Sequence, residues 1–172
     1  VMPEIIILAH NIRSTHNVGA IFRTAEGFGV TKIILSGYSP YPILTNDSRL
    51  PHIRDKLQTQ IHKTALGAEA IVPFEYQSEP PVRLLKDAGY VLVGLEQDET
   101  SILLQNYTAP DKVALLIGEE VHGITEDLLG YCDEIIEIPM AGKKESFNVS
   151  VATGIALYGL TTSVPRHLRR ES

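Results

Sequence analysis

A chain of 172 residues, 44% hydrophobic and 21% charged, has the size and composition of one globular domain with a substantial core and little room for a second. Its formal net charge of -6 excludes a protein that holds polyanions by bulk charge, leaving only local clusters of Lys and Arg for such contacts. A single cysteine, Cys132, excludes an internal disulfide framework and a cysteine-based metal cluster, and reads as a small apolar packing residue rather than a nucleophile.

The first element is a β-branched run, "EIIILA" at residues 4–9. It is too short for a signal-peptide core, and no later segment approaches a membrane span, so a soluble, cytoplasmic protein is expected. A helix is predicted at about 17–28, with Val18, Ile21, Phe22 and Ala25 on its apolar face, followed by the strand "KIILSG" at 32–37. Residues 37–51 form the longest irregular stretch and carry Tyr38, Tyr41, Asn46 and Arg49. A loop of that length in a compact domain is more often functional than idle. Next come a helix at 57–67, a weaker strand "AIVPFE" at 70–75, a helix at 80–88 and the strand "YVLVGLE" at 90–96. The strand "KVALLIG" at 112–118, a helix at 124–131, the strand "EIIEIP" at 134–139 and a helix at 147–163 complete the series. Short β-branched runs alternating with helical patterns predict an α/β fold, a mostly parallel sheet with helices on both faces.

Open sheets of this kind bind ligands beyond the carboxyl ends of their strands, and three strand ends here are unusual. The strand at 4–9 runs into "HNIRSTHNVGAIFRTA", where Asn17 is placed to cap the helix and Arg23 follows, with Glu26 at i,i+3 as a surface partner. The strand at 112–118 ends on adjacent carboxylates, Glu119 and Glu120, which need a cation or a helix N-terminus nearby. The strand at 134–139 leads into "AGKKESFNVS", where Ser146 and Asn148 bracket Phe147 at a helix start, two capping residues where one suffices. Neither the dinucleotide pattern G-x-G-x-x-G nor the phosphate loop G-x-x-x-x-G-K-[ST] occurs at these ends.

Taken together and in this order, "NIRSTHNVGAIFRTA" (11–25), "GEEVHG" (118–123) and "IPMAGKKESFNVSVA" (138–152) resemble the three motifs of the SpoU family, also called TrmH, within the SPOUT superfamily. Members are S-adenosylmethionine-dependent RNA ribose 2'-O-methyltransferases. Three positions depart from the usual pattern: Thr15 stands where proline is common, Glu119 where a small or amide residue is common, and Phe147 where leucine is frequent.

The resemblance implies a C-terminal deep trefoil knot and a homodimer, with residues 1–172 forming one methyltransferase domain that lacks an N-terminal RNA-binding extension. It implies S-adenosyl-L-methionine as cofactor, held by Leu95, Gly118, Ile138 and Phe147, and a reaction that uses no metal. It also implies catalytic roles for Asn17, Arg23, Glu120, Ser146 and Asn148, with tRNA or rRNA as partner. Arg23 is the residue the family pattern assigns to activating the hydroxyl; an always-protonated guanidinium suits phosphate binding and alkoxide stabilisation better than base catalysis. For dimer packing the helix stripe Val151, Ile155, Ala156 and Leu160 is expected, and for RNA phosphates Arg49, Arg54, Lys143 and the tail residues Arg166, Arg169 and Arg170. A protein that kept the fold and RNA binding but lost turnover is the alternative from a different class.

Overall fold

The computed structural model describes residues 2–162. In chain order its elements are β1 (Glu4–His10), α1 (Thr15–Gly27), β2 (Lys32–Ser36), α2 (Pro51–Ala65), β3 (Phe74–Gln77), α3 (Val82–Asp87) and β4 (Val91–Leu95). There follow β5 (Ile102–Leu103), β6 (Lys112–Ile117), α4 (Glu126–Tyr131), β7 (Glu134–Glu137) and α5 (Val149–Thr162). The strands form one seven-stranded sheet in the order β3-β2-β1-β6-β4-β7-β5. Every pairing in it is parallel, so all strands end along the same edge.

The central strands read as unbroken apolar runs because both of their faces are buried. Ile5, Ile7 and Ala9 of β1 and Val113, Leu115 and Ile117 of β6 join the core beneath α1, α2 and α5. The alternate residues Ile6, Leu8, Ala114 and Leu116 pack on the other face with Val82 and Leu85 of α3 and Leu128 and Leu129 of α4. The expected layering is therefore found, and the sheet is parallel throughout. No helix among the described residues is long and apolar enough to cross a membrane.

Several expected boundaries shift. The helix expected from residue 57 starts at Pro51, whose ring presets a helical φ at the first turn; of its fifteen residues only Ile61 and Ala65 are buried, so its polar first half shows little apolar period. The helix expected at 17–28 begins two residues earlier, and β5 is a two-residue strand at the sheet edge with no sequence signature. The weak strand expected at 70–75 starts only at Phe74, after a 3-10 turn at Ala68–Ala70.

The long loop after β2 is tightly built. Arg49 bonds Asp47 and donates to the Tyr41 and Pro42 carbonyls, with its guanidinium 3.7 Å above the Tyr41 ring. Tyr41 in turn stacks on Tyr76 of β3, centroids 4.2 Å apart. Four of the five Arg49 donors are thus engaged within the loop, which weighs against the expectation of Arg49 as a phosphate contact. Arg54 pairs with its neighbour Asp55 at 2.9 Å, and Arg166, Arg169 and Arg170 lie outside the described residues.

Leu115, on β6 and wholly buried, tests the packing. Leu115→Ala is expected to lower unfolding free energy by about 2–5 kcal/mol, read from chemical denaturation at pH 7.

Candidate active site

The loops after β1, β4, β6 and β7 gather at the carboxyl edge of the sheet because those four strands are neighbours there. One carboxylate ties them together. Glu120 Oε2 accepts from the Arg13 N–H at 3.0 Å, and its Oε1 accepts from the Ser14 N–H and from Asn17 Nδ2, both at 3.1 Å. Asn17 Oδ1 then accepts from Asn148 Nδ2 at 3.1 Å. The Asn148 Oδ1 accepts from Ser150 N–H at 2.9 Å and from the Ser150 hydroxyl at 2.6 Å, closing the start of α5. The chain of bonds runs from the loop after β6, through α1, to α5.

Burial pushes the Glu120 carboxyl up, but donors from Arg13, Asn17 and Ser14 outweigh it and hold the group below the usual glutamate range. The carboxylate also sits at the start of α1, where a negative charge offsets the unpaired N–H groups of the first turn. Asn17 is not the cap of α1, as the sequence suggested. Ser14 is, accepting the Asn17 N–H at 3.2 Å, and this leaves the Asn17 amide free to bridge Glu120 and Asn148.

Below this network lies a cavity of about 240 Å³. Leu95, Gly118, Ile138 and Phe147, the four residues expected at the cofactor, all line it, together with Glu120 and Ser146. Two glycines shape its wall for a steric reason. A Cβ at Gly118 would come within 2.5 Å of the Gly123 carbonyl carbon, and Gly123 has φ +69 with Glu96 Oε2 2.0 Å from where its Cβ would stand. Only glycine fits at either end of "GEEVHG". Among the described residues the lining includes Glu96, Glu119, Glu120, Glu137 and Glu145 and no Lys or Arg. Such a cavity favours a cationic ligand group over a phosphate.

Sequence reasoning missed several residues that shape this cavity. Glu96 accepts from the Ile124 N–H at 3.0 Å, and Gln97 donates through Nε2 to the Glu145 carbonyl at 2.8 Å, so the end of β4 fastens both flanking loops. A carboxylate directly after a buried strand was the available signal. Glu119 is buried, accepts from the His122 N–H at 2.6 Å, and lies 3.4 Å from Arg13 Nη2.

Arg23 is exposed and has no ion pair or hydrogen bond among the described residues, so the surface pair with Glu26 does not form. It lines neither this cavity nor a second hollow beside Arg13, and unlike Glu120, Asn17 and Asn148 its side chain takes no part in the hydrogen-bonded network. Its helical neighbour Thr24 borders a surface hollow with Val151, Gly154, Ile155 and Tyr158 of α5. Cys132 packs half-buried against Gly94, its thiol pushed up to about 11 chiefly by burial, which disfavours the reactive thiolate.

The family model described as the SpoU rRNA Methylase family matches residues 4–158. The 23S rRNA (guanosine-2'-O-)-methyltransferase RlmB of Pectobacterium atrosepticum is 34% identical over 161 residues, which cover 91% of this chain and 59% of that relative. The tRNA (guanosine(18)-2'-O)-methyltransferase of Aquifex aeolicus is 31% identical over 159 residues, 90% of this chain and 67% of its own. Among solved structures, the A. aeolicus TrmH/SpoU tRNA modifying enzyme superposes with a TM-score of 0.75 at 26% identity, covering 94% of this chain and 76% of that one. The AviRb methyltransferase of Streptomyces viridochromogenes, solved in complex with AdoMet, shares the fold, with a TM-score of 0.73 at 24% identity over 92% of this chain and 57% of its own. The chain thus spans less than two thirds of the length of the RlmB relative.

Because the folded Glu120 carboxyl is depressed, the stability it contributes is present above the ordinary glutamate pKa of about 4.3 and is lost as pH falls through the lowered folded value. Glu120→Gln is expected to cost about 1 kcal/mol at pH 7, less than the roughly 1.5–3 kcal/mol of hydrogen bonds to charged groups because solvent screens this partly exposed one. The difference from wild type is expected to shrink toward pH 3, measured by denaturation at the two pH values.

Proposed function

The chain belongs to the SpoU rRNA Methylase family, and on that premise we propose that it is an S-adenosylmethionine-dependent methyltransferase acting on a ribose 2'-hydroxyl of tRNA or rRNA. The observation that carries this reading is the meeting of three sequence motifs, through Glu120, Asn17 and Asn148, at the rim of the cavity that Leu95, Gly118, Ile138 and Phe147 line. The residues fit the donor: Gly118 and Gly123 let the loop after β6 close tightly on itself and on Glu96 to form the cavity wall, and glutamates along the lining suit a cationic ligand. When bound, S-adenosylmethionine supplies an electrophilic methyl on a sulfonium centre.

The chain's own residues have two tasks, to position the ribose and to make its weakly acidic hydroxyl reactive. Asn17 spends both ends of its amide on Glu120 and Asn148 and so acts by holding the α1 and α5 starts in register. Ser146 presents an exposed hydroxyl on the cavity wall, within a loop whose neighbour Glu145 is tied down by Gln97. Arg23 grips the phosphate beside the target ribose and stabilises the developing alkoxide, while the proton leaves to another acceptor. Having no partner within the described residues, it is free to take that role once two copies pair.

The pairing surface is the α5 face carrying Val151 and Tyr158, 50% and 63% exposed. Ala156 and Leu160, also expected there, instead sit fully buried in the chain's own core. We read the loops between β6 and α5 as the knotted segment and the cytoplasm as the place of action.

Incubating the protein with labelled donor and total RNA tests the reading. Transfer to RNA whose neighbouring phosphodiester then resists alkaline cleavage supports ribose methylation, whereas donor binding without product favours the non-catalytic alternative. Arg23→Ala is expected to lower transfer by about 10²-fold or more while donor affinity stays within about twofold; wild-type activity in that variant contradicts the assignment. Val151→Asp is expected to convert a homodimer into a monomer in sedimentation at micromolar concentration, and a wild-type monomer contradicts the pairing.

A further inference from the structure

A second hollow, of about 560 Å³, opens between the start of α1, the loop after β2 and α2. It shares a wall with the first cavity. Arg13 and Ser14 line the hollow, while the carboxylates their N–H groups or side chains face, Glu120 and Glu119, line the cavity. Methyl transfer requires the nucleophile and the methyl to meet at about 3–3.5 Å, so the acceptor has to approach through a space bordering the donor.

The floor of the hollow is an ordered stack. Tyr76, Tyr41 and Arg49 lie in three layers, the guanidinium uppermost. Arg49 commits four of its five N–H donors, through Nε, Nη1 and Nη2, to Asp47 and to the Tyr41 and Pro42 carbonyls, so it has no paired edge left for bidentate phosphate binding. Arg49 nonetheless lines the hollow with its side chain 15% exposed, and since Tyr41 covers one face of the guanidinium, a ligand there would meet the opposite one. A rigid, planar cation held this way is a platform for a flat π-system. At the rim stands Tyr38, 54% exposed, its backbone N–H fixed by Asn11 Oδ1 at 3.0 Å. Asn11 adopts φ 56 to make that bond, and Gly37 leaves it the room. Arg13 completes the rim with a side chain 69% exposed, whose only partner among the described residues is Glu119 at 3.4 Å. Its donors remain available to a phosphate, whereas those of Arg49, the other arginine lining these spaces among the described residues, are largely committed.

We propose that this hollow seats a nucleobase of the RNA substrate, stacked on the Arg49 plane and flanked by Tyr38, with Arg13 holding the adjoining phosphate. The proposal rests on the reading of the chain as an RNA methyltransferase, and it assigns base stacking and phosphate contact to different residues. Two variants separate them. Binding of a fluorescently labelled single-stranded 12-nucleotide RNA is measured by anisotropy across a range of salt concentrations, alongside calorimetric binding of S-adenosylmethionine.

Tyr38→Ala is expected to weaken RNA binding about five- to hundredfold with the salt slope unchanged, since stacking releases no counterions. Arg13→Ala is expected to weaken binding and lower the log-log salt slope by about 0.7, one single-strand phosphate contact. Donor affinity should stay within about twofold of wild type in both. Arg49→Lys keeps the charge and loses the plane; because Arg49 also ties its loop, the decision rests on Tyr38 and Arg13, whose side chains make no hydrogen bond among the described residues. If wild type binds and methylates RNA while both variants bind it with unchanged affinity and slope, the hollow is not the base site and the inference alone fails. If wild type binds neither RNA nor donor, the functional reading fails with it.

Discussion

The arrangement depends on where two helix N-termini find their negative partner. In the parallel sheet, α1 and α5 both begin at the carboxyl edge, and each start leaves N–H groups without an intrahelical acceptor. Glu120 supplies a carboxylate to the first, and Asn148 supplies its amide oxygen to the second. Asn17 joins the two because its amide is at once donor to Glu120 and acceptor from Asn148. Exchange of Asn17 for Asp would remove the donor, and exchange for Ser would remove the reach. The polar residues of the three motifs are thus parts of one hydrogen-bonded unit, and their spacing in sequence reflects which strands end side by side.

A consequence is a division of electrostatic labour. The cavity beneath the unit is walled by glutamates and glycine backbone, which on the proposed reading suits a sulfonium donor and repels a polyanion. Phosphates must then be held outside it, which fits a chain with net charge -6 that cannot attract RNA by bulk charge. Glu119, where the family pattern commonly has a small residue, lies buried beside Arg13 and places a cation at the boundary between the two spaces. Its effect falls on that boundary more than on the chemistry.

The sheet was legible from sequence because strands buried on both faces are apolar at every position, as β1 and β6 are. Helix starts were less so. Ser14 and Asn17 are both good caps, and only the fold, by bringing Glu120 and Asn148 near, decides which side chain is needed elsewhere. Arg49 looked free because its partners are loop carbonyls and a nearby aspartate whose turn geometry has no periodic signature. On α5, apolar residues occupy so much of the circumference that sequence could not phase the stripe, and Ala156 and Leu160 proved to face inward. The motif residues at the cavity were readable through the family pattern; Glu96 had only its place directly after a buried strand as a signal, and the roles of Gln97 and Arg13 emerged from three-dimensional proximity.

The claim that Asn17 and Asn148 act as one unit in forming the donor site is tested most directly by a double-mutant cycle on S-adenosylmethionine affinity, using Asn17→Ala, Asn148→Ala and the double variant. If the unit is real, either single change breaks the same link, and the double variant should bind only slightly more weakly than the weaker single one, a coupling of about 0.5–3 kcal/mol. Losses that simply add would contradict the account, because they would mean that the two asparagines shape the cavity independently.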